Sequence, residues 1–150
     1  MNKIRMIALA ACMAATLDAS AQEQEIRLFS HRGGRMEHDE NTLSAFQASY
    51  DAGYRGFETD IRMTRDGALV ITHDSSLERT TDGTGTVEEK TEAEIRRLRT
   101  KQGNKVLFLD ELLEFLKGKE GLYVEFEMKT KPEALYPEER LHAYCDKLYD

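Results

Sequence analysis

Glu58 and Asp60 stand two residues apart in a stretch that alternates like a β-strand, so their carboxylates share one face. Like charges held that close repel unless a cation lies between them. Oxygen donors of this kind suit a hard divalent ion, Mg²⁺ or Ca²⁺, better than zinc. Glu127, in a second alternating stretch, is a third candidate ligand. A lone Glu-x-Asp is usually a solvated strand face, but three such carboxylates beside two histidines reverse that reading. His31 and His73 fall near the C-terminal ends of predicted strands, where α/β folds build their sites. Imidazole titrates near neutral pH, so two of them can divide acid and base roles. Arg32 and Lys129 bring positive charge for an anionic substrate, Arg32 as a planar fork and Lys129 as a point charge. A divalent ion, two cationic side chains and an acid–base pair together suit phosphodiester cleavage. His38, in a polar loop, and His142, on a helix surface, read as ordinary surface residues.

The elements that must position these groups alternate between strand and helix. Residues 25–31 predict a strand, with Ile26, Leu28 and Ser30 on one face and Arg27, Phe29 and His31 on the other. Asn41 or Thr42 can cap the helix that follows, in which Leu43, Phe46 and Tyr50 form the apolar stripe and which Gly53 ends. Residues 56–64 predict a second strand. Strand, helix, strand implies a parallel pair with a crossover. Asp66-Gly67 signals a hairpin; with both at the turn centre, Arg65 pairs with Ala68 and Asp60 lies across from His73. Thr91 and Glu94 form a capping box for a helix expected to reach Arg99. Asp110 is a candidate cap for a helix that packs Leu112, Leu113 and Leu116 and ends at Gly118. Residues 122–129 alternate again, with Glu125, Glu127 and Lys129 on one face. Pro137 opens a last helix whose apolar residues are Leu141, Tyr144, Cys145 and Leu148. The order predicts an α/β fold.

The N-terminus predicts export. Lys3 and Arg5 precede an apolar run from Met6 to Leu17 that is too short to span a bilayer, and Ala19-Ser20-Ala21 is a cleavage signal. Residues 1–21 therefore read as a signal peptide, with periplasmic or secreted residues 22–150. Lipid anchoring at Cys12 ranks below plain cleavage, because the apolar run before it is very short. No transmembrane segment remains after cleavage. Losing Cys12 leaves Cys145 without an internal disulfide partner. A net charge of −7 argues against a nucleic-acid surface, which needs a basic stripe.

The chain resembles the glycerophosphodiester phosphodiesterase family over about Arg27 to Lys129. The matching segments are His31-Arg32-Gly33, Glu40-Asn41-Thr42, Glu58-Thr59-Asp60, Thr64-Arg65-Asp66-Gly67, His73-Asp74, Leu77-Glu78-Arg79-Thr80-Thr81 and Glu127-Met128-Lys129. The resemblance implies a TIM (β/α)8 barrel and cleavage of glycerophosphodiesters to glycerol 3-phosphate and an alcohol. It implies His31 and His73 as general acid and base, Glu58, Asp60 and Glu127 as divalent-metal ligands, and Arg32 and Lys129 as phosphate contacts. Two positions depart from the family pattern: Asp39 stands where proline is usual, and Glu125 where a neutral amide is common.

A TIM barrel takes about 250 residues. The 150 residues here are therefore expected to be about the first half of one. Two other readings compete. One is a phospholipase-D-like relative acting on lysophospholipids or sphingomyelin, which calls for an apolar acyl-binding loop not found in this sequence. The other is a non-catalytic binding module or an inactive truncated product.

Overall fold

The strand that carries Glu58 and Asp60 also organises the sheet. The computed structural model describes residues 27–149. The predicted signal peptide, Cys12 and the first two residues of the strand expected at 25–31 lie outside the described residues. The elements run β1 (Phe29–His31), α1 (Leu43–Asp51), β2 (Gly56–Met63), β3 (Leu69–Ile71), α2 (Glu92–Ile95), α3 (Leu109–Leu116), β4 (Tyr123–Met128) and α4 (Glu138–Tyr149). β1 pairs in parallel with the first half of β2, and β3 pairs antiparallel with its last residues. β4 runs parallel to β2 along its other edge, from Gly56↔Tyr123 to Ile61↔Met128. No helix among the described residues is long and apolar enough to cross a membrane.

Alternation along β2 separates its two jobs. Phe57, Ile61 and Met63 enter the main core with Phe46 of α1, Leu112 of α3 and Tyr144 of α4. Glu58 and Asp60 take the other face. β3 is buried on both faces: Leu69 and Ile71 join the main core, while Val70 joins a second cluster with Leu77, Val87, Ile95, Val106 and Phe108. The segment between β3 and α3 is thus folded back over the sheet rather than left as a loose insertion.

Helix ends follow local hydrogen bonding. Thr42 caps α1, its hydroxyl accepting from the Ala45 amide. Asn41, the alternative cap, turns toward β2 instead. The capping box of Thr91 and Glu94 forms, but α2 stops at Ile95 rather than near Arg99; Arg99 bridges to Lys105 and donates its amide to the Asp82 carboxylate. Phe108, not Asp110, is the N-cap of α3, and Glu111 reaches back to accept from its amide. Leu43, Leu113 and Cys145 are exposed. Leu113 and Cys145 are each one step past a buried residue, Leu112 and Tyr144, while Leu43 lies in the first turn of α1, ahead of the buried Ala45 and Phe46.

The hairpin register differs by one residue from the expected one. Ile61 faces Ile71 and Met63 faces Leu69, so Asp60 lies across from Thr72, whose amide donates to the Asp60 carbonyl. The cause is Thr64. Its carbonyl accepts from the Gly67 amide at 3.1 Å, and its hydroxyl accepts from the Ala68 amide at 2.8 Å. The loop therefore holds three residues, Arg65, Asp66 and Gly67, with Gly67 at φ +86, the usual pattern of a type I turn closed by a left-handed residue. Gly67→Ala should cost about 1 kcal/mol, because only conformation opposes it. A Cβ there would meet nothing closer than the Lys147 side chain at 3.5 Å. A shifted urea midpoint with an unchanged slope is the expected result.

Candidate functional site

Strand pairing brings the carboxylates together. Asp60 and Glu127 are register partners across β2 and β4, and Glu58 follows Asp60's face two residues earlier. One oxygen from each of Glu58, Asp60 and Glu127 lies within 4.8 Å of the others. Glu125, the register partner of Glu58, is exposed and outside this group. Glu58 Oε2 and Asp60 Oδ1 are buried, and each has only an ion-pair contact, to His31 Nε2 at 3.4 Å and to Lys129 Nζ at 3.1 Å. Buried acceptors are normally satisfied by several donors, so two buried carboxylates held this close with so few partners fit a bound cation. Hard oxygen donors from three acids fit a divalent one.

The electrostatics agree. Burial pushes the Glu58 carboxyl above its ordinary 4.5, and the neighbouring Asp60 pushes it further. Such a group favours the folded state only while it keeps its proton. Stability without cation should therefore fall as pH climbs from 4.5 through the raised value. A bound cation removes that loss, so its stabilising effect grows over the same window. Near neutral pH, Ca²⁺ or Mg²⁺ at a hundred times Kd should stabilise the fold by about 2.7 kcal/mol, read as a rise in Tm that a chelator reverses.

Positive groups line the same face. Lys129 Nζ lies 3.1 Å from Asp60 Oδ1 and 2.5 Å from Glu127 Oε1. Burial pulls its pKa down, but hydrogen bonds to Glu127 and Asp60 carry it net above 10.5. Arg32 Nε lies 3.0 Å from Asp60 Oδ2, and its Nη1 lies 3.3 Å from Glu40 Oε1. Arg32 holds a left-handed backbone, φ 53, secured by its amide donating to the Glu58 carbonyl and its carbonyl accepting from the Asn41 amide. Gly33 follows, where a Cβ would sit 2.9 Å from the Ala45 Cβ. Only glycine lets this turn press against α1.

His31 adjoins the carboxylates, and His73 lies near His31. His31, the register partner of Glu58, places Nε2 3.4 Å from Glu58 Oε2. Burial lowers its pKa below 6.5, and the charges of Arg32 and Arg35 lower it further. His73 lies just past the end of β3. Arg62 Nε donates to its carbonyl at 2.9 Å, and Arg62 is itself fixed by the buried Glu88 carboxylate at 2.7 Å. The His73 Nδ1 sits 2.6 Å from Asp74 Oδ1. With that nitrogen engaged, Nε2 is the one left for chemistry.

Six of the seven site residues named from the sequence, all but His73, therefore lie within direct reach of one another, and His73 is close enough to act electrostatically on His31. Four supporting residues were not given roles by sequence. Asn41 donates to Asp60 Oδ2 at 3.2 Å and accepts from Thr59 at 3.0 Å, its own left-handed backbone (φ 58) aiming it inward. Asp74, Glu40 and Arg79 complete the set. The signal available was adjacency to the named residues in the segments Glu40-Asn41-Thr42 and His73-Asp74, but nothing in spacing alone tells an inward side chain from a solvated one.

Residues 31–148 match the model of the glycerophosphoryl diester phosphodiesterase family. A glycerophosphodiester phosphodiesterase of Caldanaerobacter subterraneus subsp. tengcongensis is 36% identical over 123 residues, 76% of this chain and 50% of that protein. A phosphodiesterase of Oleispira antarctica, solved in complex with the product sn-glycerol-3-phosphate, superposes with a TM-score of 0.71 at 30% identity, over 83% of this chain and 52% of that one. A glycerophosphodiester phosphodiesterase of Agrobacterium tumefaciens gives 0.67 at 29%, over 84% and 64%. The fold class is that of the TIM barrel, of which the described residues form one part. The chain spans about half the length of the curated relatives it matches.

Proposed function

Because this chain belongs to the glycerophosphoryl diester phosphodiesterase family, we propose that it carries the hydrolytic site for glycerophosphodiesters, splitting them to glycerol 3-phosphate and an alcohol. The observation that carries this reading is the three-carboxylate group with His31 against Glu58 and His73 close enough to act electrostatically on His31. Glycerol 3-phosphate bound in the Oleispira antarctica neighbour supports the same product here.

Glu58, Asp60 and Glu127 would hold the divalent cation, Mg²⁺ or Ca²⁺. When bound, it supplies charge stabilisation to the phosphoryl oxygens and orients the diester. Arg32 and Lys129 face the same position and add positive charge to the phosphoryl group. His31, kept neutral by its lowered pKa, takes a proton from the attacking water. His73, its ring oriented by the Asp74 contact at Nδ1, gives a proton from Nε2 to the departing alkoxide. Water's oxygen ends on phosphorus with one of its protons, its other proton passes to His31, the proton given by His73 ends on the alcohol, and transfer of the His31 proton to His73 through solvent restores both histidines. The reaction is proposed to run outside the cytoplasm, on the strength of the charged start, apolar run and Ala19-Ser20-Ala21 signal.

Competing substrates test the assignment. Offered glycerophosphocholine and lysophosphatidylcholine together with Mg²⁺ or Ca²⁺, the protein should release glycerol 3-phosphate from the first much faster than it cleaves the second. Preference for the lysolipid would move the assignment to the phospholipase-like relatives.

A further inference from the structure

Arg79 sits in the segment Leu77-Glu78-Arg79-Thr80-Thr81, which the reaction leaves without a role. Its side chain is half-exposed, yet its donors are committed. Nη1 and Nη2 donate to the two oxygens of Glu40, at 2.9 and 2.7 Å, and Nε donates to Asp74 Oδ2. Each of those acids has a second partner in the site. Asp74 Oδ1 is 2.6 Å from His73 Nδ1, and Glu40 Oε1 is 3.3 Å from Arg32 Nη1. Arg32 in turn reaches Asp60. Side-chain contacts therefore run without a break along His73, Asp74, Arg79, Glu40, Arg32 and Asp60.

We infer that Arg79 is a positioning residue that locks two parts of the site to each other, holding Asp74 behind the His73 imidazole and Glu40 behind the Arg32 guanidinium. The inference rests on the phosphodiesterase reading for its catalytic consequence. Glu40 comes from the loop between β1 and α1, and Asp74 from the chain after β3. Arg79 joins them through three donors of one rigid plane. The backbone beneath it is fixed for the purpose. Leu77 is buried in the second apolar cluster. Thr81 returns both its amide and its hydroxyl to the Leu77 carbonyl, and Glu78 accepts from the Gly85 amide at 2.8 Å and from Ser76. A fork is required, since a lysine ammonium cannot meet both Glu40 oxygens and Asp74 in one plane. Arg79 touches no metal-ligand carboxylate and no candidate reacting atom, so it acts through its neighbours.

The test uses the full chain, with imidazole nitrogen NMR on the ligand-free protein and steady-state kinetics on glycerophosphocholine with Ca²⁺. In the native protein His73 should show one tautomer, protonated on Nδ1. In Arg79→Gln that signal should become a mixture of both tautomers, while His142, on α4, keeps its signal and reports an intact fold. kcat should fall about 10–100-fold, as for loss of an outer partner, with KM and the Ca²⁺ affinity little changed. Arg79→Lys should not restore it. The double variant Asp74→Asn with Arg79→Gln should lose less than the product of the two single losses, because the two changes share the Asp74 arm. An unchanged His73 tautomer in Arg79→Gln, or effects that multiply in the double variant, would overturn the inference. If the native protein does not cleave glycerophosphodiesters, the reaction assignment fails, and the tautomer measurement still decides the role of Arg79.

Discussion

Replacing His73 with alanine is expected to lower turnover by about 10²–10⁴-fold and to leave the melting temperature nearly unchanged. The two effects separate because of how the residue is built in. Its backbone carbonyl is the part tied to the interior, through Arg62, and alanine keeps that carbonyl. Its imidazole is part-exposed and engages Asp74, so removing it opens no core cavity. His31→Ala should behave similarly in turnover. The pH profile should identify which histidine is the base. Burial and two arginines lower the His31 pKa, so it stays neutral below the usual histidine range, and the acid limb of kcat/KM should lie below pH 6.5. Near-normal turnover in His73→Ala would remove it from the proton-transfer role.

Glu58→Gln and Asp60→Asn should diverge, although both remove a candidate ligand. Glu58 is a carboxylate that folding disfavours: burial and Asp60 both raise its pKa, and Oε2 has no hydrogen-bond partner. A neutral amide there should leave the cation-free Tm equal or higher while abolishing the rise with Ca²⁺ or Mg²⁺. Asp60 is fully buried and faces both Arg32 and Lys129. Its loss leaves the Arg32 guanidinium buried with Glu40 as its one acidic partner among the described residues. Breaking such a pair costs about 3–5 kcal/mol, and the lower end is expected because Glu40 remains. Thermal melts of both variants, with and without cation, check the pair. An intact cation response in Glu58→Gln would take that residue out of the ligand set.

What the sequence discloses and what it hides follow from the range of the forces involved. The period-two alternation of residues 56–63 assigns Glu58 and Asp60 to one face and Phe57, Ile61 and Met63 to the other, because strand geometry leaves no other option. Parallel pairing of β1 with β2, and of β2 with β4, then sets His31 beside Glu58 and Glu127 beside Asp60. The hairpin register was not legible. Asp66-Gly67 marks a turn, but whether its loop holds two residues or three depends on the Thr64 hydroxyl capturing the Ala68 amide. A one-residue change moves Asp60 from His73 to Thr72, and His73 reaches the site through the loop after β3 rather than by cross-strand pairing. Helix ends were legible where a hydroxyl caps them, as at Thr42 and Thr91. They were not where the cap is an apolar Phe108 supported by Glu111. The network through Glu40, Asp74 and Arg79 joins residues 39 positions apart, and no local periodicity encodes it. Asp39, the residue that replaces the usual proline, accepts from Thr100 at 2.5 Å and Asn104 at 2.8 Å. This loop is thus tied by side-chain bonds to a segment far along the chain.

The central claim is that one cation site and one histidine pair hydrolyse a glycerophosphodiester. ³¹P NMR of glycerophosphocholine incubated with chelator-stripped protein, then after addition of Mg²⁺ or Ca²⁺, tests it most directly. The diester resonance should persist in the stripped sample and convert to glycerol 3-phosphate once cation is added. Conversion that proceeds equally without cation, or a diester that survives with it, would contradict the account.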